Sequence, residues 1–327
     1  MELAADTLDD LLNDLYQHLL PAPVRRASRG NNREIVGMQL LLRNPRARIS
    51  RSGDRGKLFS ALGELLWYLA RSDELDFIRR YIPAYEHESD DGLTIHGAYG
   101  PRLFDMLGVD QVANVLALLR ERPDTRRAVI QLFSAEDIDA PNKEIPCTCT
   151  LQFLIRDGRL DLIVNLRSND AYKGLPHDVF CFTMLQEMIA RALRRELGTY
   201  RQFVGSMHLY ASDEKGARAY LDEGMQKPVA MPPMPKENPF LDAVPMLLES
   251  ERRIRVGEWI EAGEVANHPY WADLVRLLQA FAATGISAIL ERIVLELDWA
   301  DFRPYVEARR GLRPRRPDSP TQLKLEL

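Results

Sequence analysis

A cysteine at the entry to a strand, followed about twenty residues later by a basic polar loop, is the part of this sequence best equipped for covalent chemistry. The first stretch reads Pro146-Cys147-Thr148-Cys149-Thr150-Leu151-Gln152-Phe153; the second holds Arg167-Ser168-Asn169-Asp170 and Lys173-Gly174-Leu175-Pro176-His177-Asp178. A thiol, a guanidinium that matches phosphate oxygens and a carboxylate so close together point to nucleophilic chemistry on an anionic substrate. The runs Leu151 to Ile155 and Leu160 to Leu166 have strand length, and Arg156-Asp157-Gly158-Arg159 between them carries the Asp-Gly signal of a hairpin. Such a hairpin sets Cys147 beside Arg167, where the guanidinium would lower the thiol pKa. On residue type alone, a cysteine at a strand end is more often a small buried hydrophobe. Cys147 and Cys149 on one strand face could also be half a metal site, but no second Cys or His pair completes it, so no metal is expected.

The elements that must hold these residues follow from periodicity. Leu8 to Leu20 has leucines at helical spacing behind acidic residues; Glu34 to Leu42 reads as a strand and Leu58 to Leu69 as a mostly buried helix containing Glu64. Ala128 to Phe133, the two hairpin runs and Val204 to Leu209 read as strands, with a long helix from Phe180 to Glu196. Strands and helices without strict alternation predict an α+β fold. Five prolines in Pro228 to Pro239 mark an extended connector, beyond which Ile254 to Tyr305 is helical again. The expected organisation is a catalytic domain over 1–240, a helical extension over 241–310 and a flexible, basic, Pro-rich tail over 311–327.

The chain has 327 residues, 46% of them hydrophobic, enough for a large core. A net charge of -5 argues against a dominant nucleic-acid surface. No signal-peptide pattern or bilayer-length apolar run is evident, and the three cysteines form no disulfide framework. The reading is a cytoplasmic protein with no membrane and no nucleic-acid partner.

Pro146-Cys147, Gln152-Phe153, Arg167-Ser168-Asn169-Asp170, Gly174-Leu175-Pro176 and Gly205-Ser206-Met207-His208-Leu209-Tyr210 occur in an order that resembles the thymidylate synthase family, including its hydroxymethylase branch. Upstream, Arg29, Gly37-Met38-Gln39, Glu64-Leu65-Leu66-Trp67, Tyr99-Gly100 and Arg126-Arg127 extend the resemblance to about Val24 to Pro239. It implies a mixed sheet with packed helices, a pyrimidine nucleoside monophosphate as substrate, and 5,10-methylenetetrahydrofolate as one-carbon donor. It further implies that Cys147 adds to C6 of the pyrimidine, that Glu64 organises water and protons above the ring, and that Tyr99 belongs to the same proton network. Phosphate recognition falls to Arg29, Arg167 and Ser168, joined by Arg126 and Arg127 of the other subunit in a homodimer with shared sites. His208 and Tyr210 are assigned to the sugar 3′-hydroxyl, and Asp170 and Gly174 to the folate pterin. Cys149 and Cys181 are left as structural.

Four departures from the family pattern carry information. Thymidylate synthases acting on dUMP place Asn where this chain has Asp178; cytosine reverses uracil's donor and acceptor, and Asp at this position resembles the cytidylate hydroxymethylases. Where the family sets two tryptophans around the folate, Ile82-Pro83-Ala84-Tyr85-Glu86-His87-Glu88 offers Tyr85 and Glu88, a less apolar wall that could admit water. Thr148 follows the nucleophile in place of the usual His, and the helical extension has no family counterpart. The first two imply a cytidylate (CMP or dCMP) 5-hydroxymethylase in which Asp178 reads the base. The alternatives are a divergent thymidylate synthase methylating dUMP and a non-catalytic nucleotide- or RNA-binding relative.

Overall fold

The structure, a computed structural model, describes residues 1–27, 30–51, 57–139 and 141–315. The chain divides into two compact units, Met1–Met231 and Pro232–Leu327.

In the first unit, chain order is β1 (Glu2–Ala5), α1 (Leu8–Leu19), β2 (Val24–Ala27), β3 (Gly30–Leu42), α2 (Leu58–Leu69), α3 (Leu75–Tyr81), α4 (Tyr99–Phe104), α5 (Gln111–Glu121), β4 (Val129–Gln131), β5 (Thr148–Arg156), β6 (Arg159–Asp170), α6 (Gly174–Ala192), β7 (Glu196–Tyr210) and α7 (Glu214–Asp222). The strands form one sheet ordered β1-β3-β7-β6-β5-β4, with β2 on β3. β1 runs parallel to β3 and β6 to β7, while the other pairings are antiparallel. The mixed sheet bears out the α+β expectation.

Period-two alternation sets its sidedness. Leu160, Leu162, Val164 and Leu166 of β6 are buried under α6, with less buried residues between them. α2 and α6 pack on each other and are apolar nearly all round, as helices inside a layered core must be. On α6 the fully buried Glu187 accepts from Arg46 Nε at 2.7 Å and pairs with the equally buried Arg48. Removing one partner of such a pair strands a buried charge at a cost of about 3 to 5 kcal/mol.

The Asp-Gly hairpin forms as expected: β5 and β6 pair from Arg156↔Arg159 upward, and Asp157 and Gly158 take φ of 49° and 74°. Three boundaries differ. The stretch from Gly174 to Asp178, expected as loop, is the first turn of α6. Pro176 sits where a helix needs no N–H, and Asp170 Oδ1 accepts from the amides of Tyr172 and Lys173 just before it. Correspondingly, α6 ends at Ala192, Arg194 turns the chain at φ 54°, and β7 begins at Glu196, eight residues before the expected start. β4 is shorter than Ala128 to Phe133.

Residues 224–235 take neither helix nor strand. The second unit is helical: α8 (Ala243–Arg255), α9 (Ala262–Val265), α10 (Pro269–Ala282), α11 (Ser287–Glu296) and α12 (Arg303–Glu307). α10 is its centre, starting with Pro269 behind a His268 cap and burying Trp271, Leu274, Leu277, Leu278 and Phe281. Asp273 of α10 accepts from the amides of Asp298 and Trp299 and pairs with Arg276 at 2.8 Å. Of the expected tail, residues 316–327 lie outside the described residues; Arg309 and Arg315 stack over Phe281.

Candidate active site

A cavity of about 670 Å³ opens in the first unit, in the range that encloses small-molecule ligands. α2 contributes Glu64 and Trp67, the 3-10 turn after α3 contributes Tyr85, and the start of α4 contributes Tyr99. Glu144 and Cys147 precede β5; Arg167, Ser168, Asn169 and Asp170 close β6; Gly174, His177 and Asp178 open α6; Ser206, His208 and Tyr210 close β7. Residues spread over about 150 positions therefore converge on one wall-to-wall site. Among the site residues inferred from sequence, Cys147, Glu64, Tyr99, Asp178, Arg167, Ser168, His208, Tyr210, Asp170, Gly174 and Tyr85 all line it. Arg29 lies outside the described residues. Arg126 and Arg127 are exposed just ahead of β4 and do not line the cavity, and neither does Glu88.

The surroundings of Cys147 correct one expectation. Arg167 is beside Cys147: its amide donates to the Cys147 carbonyl at 2.9 Å, and its guanidinium donates to the carbonyls of Pro146 and Ile145 at 2.9 and 2.8 Å. Yet the thiol is pushed up, because burial outweighs the downward pull of Arg167 while the carboxylates of Glu144 and Asp178 add to the rise. Ser168 Oγ lies 4.0 Å from the sulfur. Cys149 sits at a bulge between Thr148 and Thr150, which breaks the alternation that would have kept both sulfurs on one face, and it does not line the cavity. Cys181 is core, its thiol on the Ala61 carbonyl.

Thr148 acquires a role here. Tyr99 donates its hydroxyl to Thr148 Oγ1 and accepts from the Thr148 amide, both at 3.1 Å and fully buried. The residue after Cys147 thus fixes a tyrosine of the cavity lining. Glu64 is the second centre: Tyr68 and Tyr85 both donate to its Oε1, at 2.9 and 3.3 Å, and Oε2 has no partner among the described residues. Burial pushes this carboxyl up to about 7, with the two hydroxyls pulling it down and Glu144 repelling its charge. Tyr85, expected at the folate wall, packs edge-on against Trp67 at 5.6 Å and so serves both the wall and Glu64.

Asp178 lines the cavity, and so does His177, whose ring bonds Ser60 Oγ at 2.8 Å and the Lys173 carbonyl at 2.9 Å. Burial lifts the Asp178 carboxyl well above the usual carboxylate range, the charge on Glu64 adds to this, and the nearby Asn169 amide opposes it. His208 and Tyr210 stand together on β7 with rings 5.0 Å apart. A Cβ on Gly174 would come within 2.9 Å of Asn169 Oδ1, so a larger residue there would displace the Asn169 side chain.

Sequence reading missed several wall residues. Tyr68 is one helical turn after Glu64, a spacing that could have revealed it. Asn169 fills the variable position of Arg-Ser-x-Asp, and Glu144 stands three residues before Cys147. Asn169 Nδ2, Trp67 Nε1 and Asn32 Oδ1 join Glu64 Oε2 as buried polar atoms of this wall without a partner among the described residues. Native proteins rarely leave such groups unpaired, so a ligand rich in donors and acceptors fits this lining.

A model of thymidylate synthase matches residues 55–238, more than half of the chain. The chain belongs to the thymidylate synthase family. It is similar to the deoxyuridylate hydroxymethyltransferase of Bacillus phage SP01, 30% identical over 259 residues that cover 73% of this chain and 67% of that protein. The deoxyuridylate hydroxymethyltransferase of Pseudomonas phage M6 is 37% identical over 155 residues, 46% of this chain and 44% of the relative. The thymidylate synthase of Bacillus subtilis subsp. natto is 34% identical over 159 residues, 46% and 57% of the two chains. The chain therefore spans between about half and two thirds of the length of these relatives. The family match stops at 238, so the helices from α8 onward lie beyond it.

Proposed function

We propose that this protein is a pyrimidine nucleotide C5 hydroxymethyltransferase that acts on cytidylate, with 5,10-methylenetetrahydrofolate as co-substrate. The observation that carries the base assignment is Asp178, half-buried in the cavity wall. As a neutral acid it donates to cytosine N3 and accepts from the N4 amino group; as a carboxylate it still accepts from N4–H, whereas uracil O4 would repel it. The hydroxymethyl outcome is supported by the polar wall of Glu64, Tyr68 and Tyr85, and by the names of two of the relatives above.

In this reading Cys147 adds to C6 and makes C5 nucleophilic, and the folate supplies the one-carbon unit to C5. Tyr99, held by Thr148, faces the ring. Arg167 and Ser168 meet the phosphate, His208 and Tyr210 the 3′-hydroxyl, and Asp170 with Gly174 the pterin. Arg126 and Arg127, exposed away from their own cavity, serve a partner subunit's phosphate in a homodimer. The exposed apolar Val36 and Phe203 on neighbouring strands support such an interface.

A second reading, hydroxymethylation of deoxyuridylate, is favoured by the relatives' names and by the raised pKa of Asp178, since a neutral acid can also donate to O4 and accept from N3–H. Product mass analysis after incubation with methylenetetrahydrofolate and each of CMP, dCMP, UMP and dUMP separates the two. A hydroxymethyl product from CMP or dCMP is expected; a product from uridylates alone overturns the cytidylate reading. Asp178→Asn should lower kcat/KM for cytidylate and raise it for the matching uridylate, because two buried hydrogen bonds worth about 1 to 3 kcal/mol each change partner. An unchanged ratio removes Asp178 as the base reader.

A further inference from the structure

Glu144 is a carboxylate that no motif above accounts for. It lines the cavity together with Cys147, Glu64, Tyr85 and Tyr99. Its segment is pinned on both sides: Arg167 holds the Ile145 and Pro146 carbonyls, while Lys143 Nζ donates to the Ser89 carbonyl at 2.6 Å and the Lys143 amide to Asp90 Oδ2 at 3.2 Å. The carboxylate occupies the space over Gly97, where a Cβ would overlap Oε2, so a side chain at position 97 would push the carboxylate aside. Its negative charge raises the pKa of Glu64, Cys147, Tyr85 and Tyr99 alike, which puts it within electrostatic reach of all four.

We propose that Glu144 is the general base that takes the proton of the water that completes hydroxymethyl formation. The inference rests on the hydroxymethyltransferase reading. Once the one-carbon unit is on C5 and the folate has left, C5 carries an exocyclic methylene and C6 is bonded to Cys147. Water oxygen bonds to the methylene carbon as its proton passes to Glu144, and the C5=CH2 electron pair moves into the ring toward the C4 substituent. Return of that pair forms C5=C6 and breaks the C6–S bond, which releases the thiolate and the hydroxymethyl nucleotide; the proton on Glu144 passes to solvent. Two carboxyls divide the work, since Glu64 has its Oε1 committed to Tyr68 and Tyr85 whereas Glu144 enters from the nucleophile's own segment.

The test uses the full chain with 5-tritiated cytidylate and methylenetetrahydrofolate, reading tritium release in a single turnover, hydroxymethyl product, and the Cys147-linked nucleotide by mass. Glu144→Gln keeps shape and loses the base. Tritium release within about threefold of wild type, product slower by roughly 100-fold or more and accumulation of the covalent adduct are expected. Gly97→Ala keeps the carboxylate but displaces it with the new methyl, and should give the same split. The inference is overturned if either variant forms product at the wild-type rate, or if tritium release falls in step with product. A wild type that yields a methyl product, or no product from either cytidylate or 5-tritiated uridylate run alongside, sinks the hydroxymethyltransferase reading and this inference with it. A hydroxymethyl product with both variants unimpaired sinks Glu144 alone.

Discussion

Replacing Glu64 by Gln should change stability in a way that depends on pH with a definite sign. The Glu64 carboxyl ionises at about 7 in the folded chain against an ordinary 4.5, chiefly because burial penalises its charge. The folded state therefore holds this proton more tightly than the unfolded state does. Below pH 4.5 both states are protonated and Glu64 costs nothing; between 4.5 and 7 the unfolded chain ionises first and stability falls; above 7 the loss is complete. At 1.36 kcal/mol per pH unit, the gap from 4.5 to about 7 corresponds to about 3 kcal/mol. Gln is neutral throughout and still offers an oxygen to Tyr68 and Tyr85, so Glu64→Gln removes the penalty and keeps both hydrogen bonds. Urea unfolding of wild type and variant at pH 5, 6, 7 and 8 reads the difference. The variant should match wild type near pH 4.5 to 5 and exceed it by about 3 kcal/mol at pH 8. Because the charge on Glu64 raises the pKa of Asp178, the gains from Glu64→Gln and Asp178→Asn should not add. A stability difference that is constant from pH 5 to 8 would refute the argument, since a pH-independent change reflects packing and not the burial of a titrating charge.

Cys147→Ala should abolish tritium release from C5 while Cys149→Ala retains it; equal loss in two folded variants would remove Cys147 as the nucleophile. Thr148→Val leaves the Tyr99 hydroxyl without its acceptor in a buried site, and should lower stability by about 1 to 3 kcal/mol and slow tritium release. No change in either would show that Tyr99 does not depend on Thr148. Mixing Arg126→Ala chains with Cys147→Ala chains should restore activity through hybrid dimers that hold one intact site. Demonstrated subunit exchange with no recovery would end the shared-site proposal.

What could be read from the sequence, and what could not, divides along the range of the interactions involved. The β5–β6 hairpin was legible because Asp157-Gly158 needs no distant partner to take positive φ, and α1 and α2 were legible because one face or all faces are apolar at a fixed period. β7 was only half legible: Tyr200 and Gln202 are buried, but Arg201 and Gln202 interrupt the apolar run, and the strand is imposed by pairing with β3 and β6. The start of α6 was hidden because glycine and proline there read as loop, while the Asp170 side chain that organises the turn lies outside the helix. The thiol was the more instructive miss. Placing Arg167 beside Cys147 requires only a hairpin register, which the sequence carries. The net direction of the shift requires knowing that the sulfur is buried and that the charges of Glu144, three residues before it, and Asp178, from another element, reach it. Electrostatics of a buried site sum over every charge in reach, and reach is set by the fold. The same holds for Glu64, whose position inside an apolar helix announced a buried acid, but whose two tyrosine donors come from its own next turn and from a segment some twenty residues on. The family resemblance thus nominated eleven of the groups in the cavity, and packing decides which of them carry a proton.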